Sequence, residues 1–120
     1  MDKRYYVRLD VDNVGDNIEL ALLQANLVRA QQIHDSIQTA LADIQKVLRF
    51  NCDILMQGCD DILFSISEID YDENFLVELK DIFFEKTGFT ISIGIGISIN
   101  EAIGNLRIAK LSGKNRIYQE

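Results

Sequence analysis

Two hydrophobic rhythms take turns along this chain. From Tyr5 to Asp12 apolar and polar positions alternate, with Val7, Leu9 and Val11 on one side and Arg8, Asp10 and Asp12 on the other, as in a strand with one buried face. From about Asn17 to Phe50 the apolar positions recur every three or four residues (Leu20, Leu23, Leu27, Ala30, Ile33, Ile37, Leu41, Ile44, Leu48), which is the helical period. That run exceeds an ordinary globular helix, so a kink or break is expected near Gln24-Ala25-Asn26. Two short apolar stretches, Cys52 to Gln57 and Ile62 to Ser67, follow on either side of Gly58-Cys59-Asp60-Asp61 and read as a β-hairpin. After a polar loop from Glu68 to Asn74, Phe75, Leu79, Ile82 and Phe83 mark a second amphipathic segment that Gly88 stops. Thr87 to Asn100 alternates most regularly: Phe89, Ile91, Ile93, Ile95, Ile97 and Ile99 face one way, Thr90, Ser92, Gly94, Gly96 and Ser98 the other. This predicts a central strand whose small-residue face admits a helix, a ligand or a second subunit, helix packing being the commonest. Glu101 to Ser112 forms a third helical segment with Ala102, Ile103, Leu106 and Ala109 inward, and a last short strand lies near Ile117-Tyr118.

The order is strand, long helical segment, hairpin, helix, strand, helix, strand. It predicts an α/β (α+β) fold: a ferredoxin-like βαββαβ core with one helix and one strand added, βααββαβαβ, its mainly antiparallel sheet packed with helices. At 120 residues the chain is long enough for one domain, spanning 1–120. In that arrangement the first strand lies beside the hairpin, and its carboxyl end approaches the hairpin tip. Asp10 and Asp12 are thereby expected near Asp60 and Asp61.

Composition narrows the classes. A net charge of −7 argues against a surface that grips a DNA or RNA duplex by counterion release, though not against single nucleotides that arrive with a divalent ion. Two cysteines, Cys52 and Cys59, make no disulfide scaffold, so a reducing compartment is expected. Met-Asp-Lys-Arg-Tyr-Tyr opens no signal peptide, and no apolar run nears the roughly 20 residues of a membrane helix, so a cytoplasmic protein is expected.

The candidate chemistry lies in the acids. A bare pair of carboxylates about 4 Å apart repels by about 4 kcal/mol at an effective dielectric near 20. A cation is expected beside Asp10 and Asp12, with the Val11 carbonyl between them, and hard oxygen ligands favour magnesium, manganese or calcium. The bland alternatives are that Asp12 and Asp16 cap the following turn and helix, and that Asp60-Asp61 is a solvated acidic turn. Backbone N–H groups of Asn13, Val14 and Gly15 meet a helix start and suit phosphate oxygens. Lys110, Lys114 and Arg116 are a local basic cluster, either a polyphosphate clamp or cations favourably placed at a helix carboxyl end. The only histidine, His34, sits beside the helical stripe and reads as a structural or surface residue.

Asp10-Val11-Asp12 followed by Gly58-Cys59-Asp60-Asp61 resembles the palm of the GGDEF diguanylate cyclases and of the polymerase subunit of type III CRISPR complexes. Ser92-Ile93-Gly94-Ile95-Gly96 and Ala109-Lys110-Leu111-Ser112-Gly113-Lys114-Asn115-Arg116 resemble the "SxGxA" and "AKxxGRN" segments of GGDEF domains. The small size and the wording Asp-Val-Asp-Asn-Val-Gly-Asp are most similar to the minimal CRISPR polymerases, stand-alone palm domains of bacterial anti-phage signalling. The resemblance implies a nucleotidyltransferase that joins nucleoside triphosphates into a cyclic di- or oligonucleotide and releases pyrophosphate. It implies two Mg2+ or Mn2+ ions on Asp10 and Asp60, with the Val11 carbonyl and with Asp61 and Asp12 as further partners. It also implies a homodimer whose subunits present substrates to each other, and an effector protein that reads the product. Gly58 matches the first hairpin glycine, but Cys59 replaces the second. Ile18 stands where diguanylate cyclases carry a guanine-reading Asn, which favours ATP over GTP. The rival readings are a nucleotide sensor without catalysis and a nucleotide hydrolase resembling archaeal GTP cyclohydrolase III.

Overall fold

The computed structural model describes residues 3–119. Met1, Asp2 and Glu120 lie outside them, and with them part of the leader reading and the ends of the 1–120 domain assignment. The elements are β1 (Arg4–Val11), α1 (Val14–Leu23), α2 (Leu27–Leu48), β2 (Cys52–Gln57), β3 (Asp61–Ser67), α3 (Glu73–Thr87), β4 (Ile91–Gly96), α4 (Ile99–Leu111) and β5 (Ile117–Gln119). They make one five-stranded sheet in the order β2-β3-β1-β4-β5. β1 is central and antiparallel to both neighbours, and β5 alone runs parallel to its partner β4. This mixed α/β architecture with a mostly antiparallel sheet is the one the two rhythms predict.

The sheet is covered on both faces. Val7, Leu9 and Val11 meet Ile62, Phe64, Ile66, Ile91, Ile93 and Ile95 on one side, where Ile33, Ile37, Leu41 and Ile44 of α2 and Leu76, Leu79 and Phe83 of α3 close the core. On the other side β4 presents only Ser92, Gly94 and Gly96, and α4 lies directly on them. A Cβ on Gly94 would stand 2.1 Å from the Leu106 backbone nitrogen, and one on Gly96 would stand 2.5 Å from Glu101 Cβ. The small-residue face is thus a helix seat, the commonest of the three uses it allows. It matters for function because α4 carries Lys110 toward the end of β1.

Two boundaries depart from the hydrophobic rhythm. The helical run does break at Gln24-Ala25-Asn26: Ala25 takes φ 56°, and Asn26 caps α2 by accepting from the Arg29 N–H. The strand that alternation extends to Asn100 stops at Gly96 instead. Ser98 accepts from the Glu101 N–H and the Glu101 carboxylate accepts from the Ile97 N–H, so a reciprocal cap starts α4 two residues after the strand ends. Ile97 is consequently exposed and Ile99 is helical. At the outer edge, β2 is offset by an irregularity between Ile54 and Met56, and Met56 points into solvent. Cys52 and Cys59 are both free thiols, and among the described residues no helix is long and apolar enough to cross a membrane.

Gly94→Ala should lower stability by about 3 kcal/mol, the upper end of the usual overpacking cost, because backbone rather than a flexible side chain occupies the space. The urea midpoint measures this, and an unchanged midpoint would mean that α4 does not seat on β4 as described.

Candidate functional site

The alternation in β1 turns Arg8, Asp10 and Asp12 toward the α4 face, at the end of the strand nearest the hairpin tip. Asp10 pairs with Asp61 across the β1–β3 ladder, and the Val11 N–H donates to the Asp60 carbonyl at 2.9 Å. One carboxylate oxygen each from Asp10, Asp60 and Asp61 lies within 4.8 Å of the other two. Burial pushes the Asp10 carboxyl above its ordinary pKa; Asp60 and Asp61 push the same way, and Lys110 opposes them. The hairpin turn is tight at Gly58, whose N–H donates to the Asp61 carbonyl and where a Cβ would come within 2.6 Å of the Asp61 carboxylate.

Two cations of the chain already answer this charge. Arg8, two residues before Asp10 on the same strand face, holds Asp61 Oδ2 at 2.9 Å. The Lys110 ammonium lies 3.0 Å from Asp10 Oδ2, 2.7 Å from Asp12 Oδ1 and 3.3 Å from the Val11 carbonyl. Burial alone would depress the lysine's pKa, but Asp12 and Asp10 outweigh it and the pKa is raised, so Lys110 is charged.

Asp12 belongs to a different construction. Its side chain is fully buried, with both oxygens engaged: Oδ1 accepts from Ser92 Oγ (2.8 Å) and Lys110, and Oδ2 from Thr90 Oγ1 (2.7 Å) and the Asn115 N–H (3.0 Å). Burial would raise its pKa, but these donors prevail and hold the carboxyl below the usual range. The turn that delivers the Asn115 N–H runs through three left-handed residues, Gly113 (φ 119°), Lys114 (φ 65°) and Asn115 (φ 51°). Two of them are not glycine, a strain of order 1 kcal/mol or more each. It is held by the Asn115 bond and by Lys114, whose ammonium donates to Asn13 Oδ1.

Next to the acids a cavity of about 170 Å³ opens between α1, α2 and the hairpin tip, lined by Val14, Gly15, Ile18, His34, Ile37, Gln38, Cys59 and Asp60. Its walls are mostly apolar, and Asp60 is common to it and to the acid cluster. The Gln38 amide nitrogen donates across it to the Cys59 carbonyl, tying α2 to the tip.

The family model of the minimal CRISPR polymerase domain, mCpol, matches residues 6–119. The chain belongs to the mCpol family. Its fold is similar to that of the GGDEF domain of DgcB from Caulobacter crescentus solved with c-di-GMP, at a TM-score of 0.66 and 16% identity over 96% of this chain and 76% of that one. It is also similar to a chain of the Csm1–Csm4 cassette solved with one ATP (TM-score 0.70, 19% identity, 96% of this chain) and of the same cassette solved with cA4 (TM-score 0.68, 17% identity, 95% of this chain). In both cases this chain spans only 20% of the cassette chain. No curated protein matches the chain.

Within this mCpol domain the sequence-predicted residues divide into groups. Asp10, Asp60 and Asp61 converge. Asp12, expected to share their cation, is instead spent on four protein donors, because the strand end dips under α4 at that residue and Ser92, Thr90 and Lys110 reach it first. It does not cap α1 either: Asn13 holds that position, with φ 64°, and Asp16 lies in the first turn. The Val11 carbonyl faces the site but meets Lys110. Lys110, expected as part of a polyphosphate clamp, stands among the acids, between Asp10 and Asp12. Lys114 sits over the start of α1, and Arg116 turns back to donate to the Lys114 carbonyl. Asn13, Val14 and Gly15 begin α1, with Val14 and Gly15 also on the cavity wall. Arg8, Gln38 and His34 were not assigned to the site from the sequence. The place of Arg8 on the Asp10 face was the one available signal.

The difference between the acids is measurable as stability. Asp12→Ala, which strands Lys110 and three further donors, should cost about 3–5 kcal/mol. Asp60→Ala should be neutral or slightly stabilising in metal-free buffer, because among the described residues Asp60 has no cationic partner within 4 Å and adds to the repulsion on Asp10. Because the Asp12 pKa is lowered, its contribution is complete above the unfolded value of about 3.9 and is lost as the pH falls through the lower folded one, so the Asp12 variant should show a flatter acid limb. Chemical denaturation of both variants between pH 2 and 7 checks the three outcomes; equal costs for Asp12 and Asp60 would contradict them.

Proposed function

We propose that this domain is a metal-dependent nucleotidyltransferase that joins nucleoside triphosphates, ATP in the first place, into a cyclic di- or oligonucleotide. The observation that carries the reading is the meeting of Asp10, Asp60 and Asp61 within 4.8 Å beside an apolar cavity that shares Asp60. Three carboxylates held so close, with Arg8 and Lys110 as their counter-charges among the described residues, suit a hard divalent ion. Asp10, Asp60 and Asp61 would hold Mg2+ or Mn2+, and we keep the expectation of two ions. Such ions supply Lewis acidity, lowering the pKa of a ribose hydroxyl and neutralising charge on the leaving group.

The chain's own groups do the rest. The cavity between α1 and the hairpin tip takes the base, which aims the triphosphate at the acids. A ribose hydroxyl oxygen attacks the α-phosphorus; the new O–P bond forms, the bond to the β-phosphate bridge breaks, and pyrophosphate leaves with the electron pair. The hydroxyl proton passes to solvent. Lys110, whose ammonium stands between Asp10 and Asp12, would meet the phosphates from the α4 side. Lys114, at the start of α1, covers the tail of the triphosphate from the same side. A second such step closes the ring.

One domain of this size encloses one nucleotide, so the active form is a homodimer in which each subunit offers its substrate to the other. An effector protein reads the product in anti-phage defence, in the cytoplasm. The retention of Asp10, Asp60 and Asp61 speaks against a sensor that has lost its chemistry.

Incubation with each nucleoside triphosphate and Mg2+ or Mn2+, followed by pyrophosphate assay and mass spectrometry of the products, tests the proposal. ATP should give pyrophosphate and a cyclic oligoadenylate, and Asp10→Ala and Asp60→Ala should each lower the rate by about a hundredfold or more. Wild-type rates in either variant, or linear mononucleotide as the sole product, would overturn it.

A further inference from the structure

We propose that Arg8 is the protein's own occupant of one of the two cation positions among the acids, so that without nucleotide the domain takes up a single divalent ion, beside Asp10 and Asp60. The inference rests on the metal reading of the site and adds to it the part played by Arg8.

The three acids are answered unequally. Asp61 Oδ2 lies 2.9 Å from Arg8 Nη2. In the β1–β3 register Arg8 opposes Leu63 and Asp10 opposes Asp61, so the arginine reaches its acid along the diagonal of one sheet face. The two side chains are only 26% and 23% exposed, so salt and water screen this pair less than one on the surface. Arg4, four residues earlier on the same face, divides its donors between Ser65 and Asp53, whereas among the described residues Arg8 donates to Asp61 alone. The other Asp61 oxygen, Oδ1, is the atom that a Cβ on Gly58 would meet, so it faces the hairpin. Asp10 gives Oδ2 to Lys110. Asp60 has no cationic partner within 4 Å among the described residues. The unanswered charge therefore lies beside Asp10 and Asp60, and the place beside Asp61 is already taken.

A count of charges agrees. Asp10, Asp12, Asp60 and Asp61 carry four negative charges, and Arg8 and Lys110 return two. One divalent ion cancels the remainder. A second would leave two positive charges crowded in a half-buried site, which only the negative charges of a triphosphate offset. Arg8 thus sets how many ions the resting protein holds, because its charge is fixed and stands where a neutral side chain would leave room for metal.

Electron paramagnetic resonance of free Mn2+, titrated into the nucleotide-free protein, counts the bound ions and gives their affinity without any turnover. Wild type should bind one. Arg8→Met should bind Mn2+ at least about tenfold more tightly, since a positive charge has gone from beside it. Arg8→Gln, equally neutral, gives the same reading should the methionine variant not fold. Arg8→Lys keeps the charge and should stay within about threefold of wild type, which separates charge from side-chain shape. Two ions in the nucleotide-free wild type, or an affinity that neither neutral variant raises, overturns the inference. If Mn2+ binds as expected but no triphosphate yields pyrophosphate, the role of Arg8 stands and the transfer chemistry falls. If no form of the protein binds Mn2+, both fall.

Discussion

The buried carboxylate of Asp12 ties this structure together. Through its two oxygens it joins the end of β1 to Thr90 at the threshold of β4, to Ser92 within it, to Lys110 on α4 and to the turn that leads into β5. An ion so deeply covered is tolerated only with every lone pair answered, and here the answers come from four separate places. The strand end, the helix and the strained turn are therefore fixed relative to one another. Because the same Lys110 also reaches Asp10, the fixed part of the molecule hands its position directly to the part with room for chemistry.

The acids thus divide into a structural one and a reactive group, although they are neighbours in sequence and share a strand face. Burial decides which is which. Asp12 is closed off under α4, while Asp10, Asp60 and Asp61 remain partly open to solvent at the strand end and hairpin tip. The open group is balanced by Arg8 and Lys110, so the chain folds with its charge largely compensated from within. The apolar cavity beside it shares Asp60, which places a volume for an aromatic ring against a site for phosphate chemistry.

Much of this was legible in the residues. The two rhythms gave the elements and their order, the break at Ala25 was marked by Asn26, and pairing of β1 with β3 follows from the topology and brings Asp10 to Asp61. The overlong strand was a contest between two local signals, and the Ser98–Glu101 cap overrode alternation because Ile97 has no core to enter beyond Gly96. The fate of Asp12 was not legible, because its partners lie from 78 to 103 positions away and no local pattern tells a carboxylate which of several distant donors will arrive. Gln38 was hidden for the same reason: its meaning depends on a carbonyl at the hairpin tip, 21 residues on.

The irregularity in β2 has an effect that reaches beyond a single molecule. A five-stranded sheet of this kind ends in a row of unpaired amides, which in a flat edge would recruit the same edge of a neighbour and grow into fibrils. The offset between Ile54 and Met56 breaks that row midway, and the Asp53 carboxylate, paired across β3 to Arg4 of β1, adds a charge beside the break. The border strand is thereby left a poor template for the edge of a neighbouring molecule.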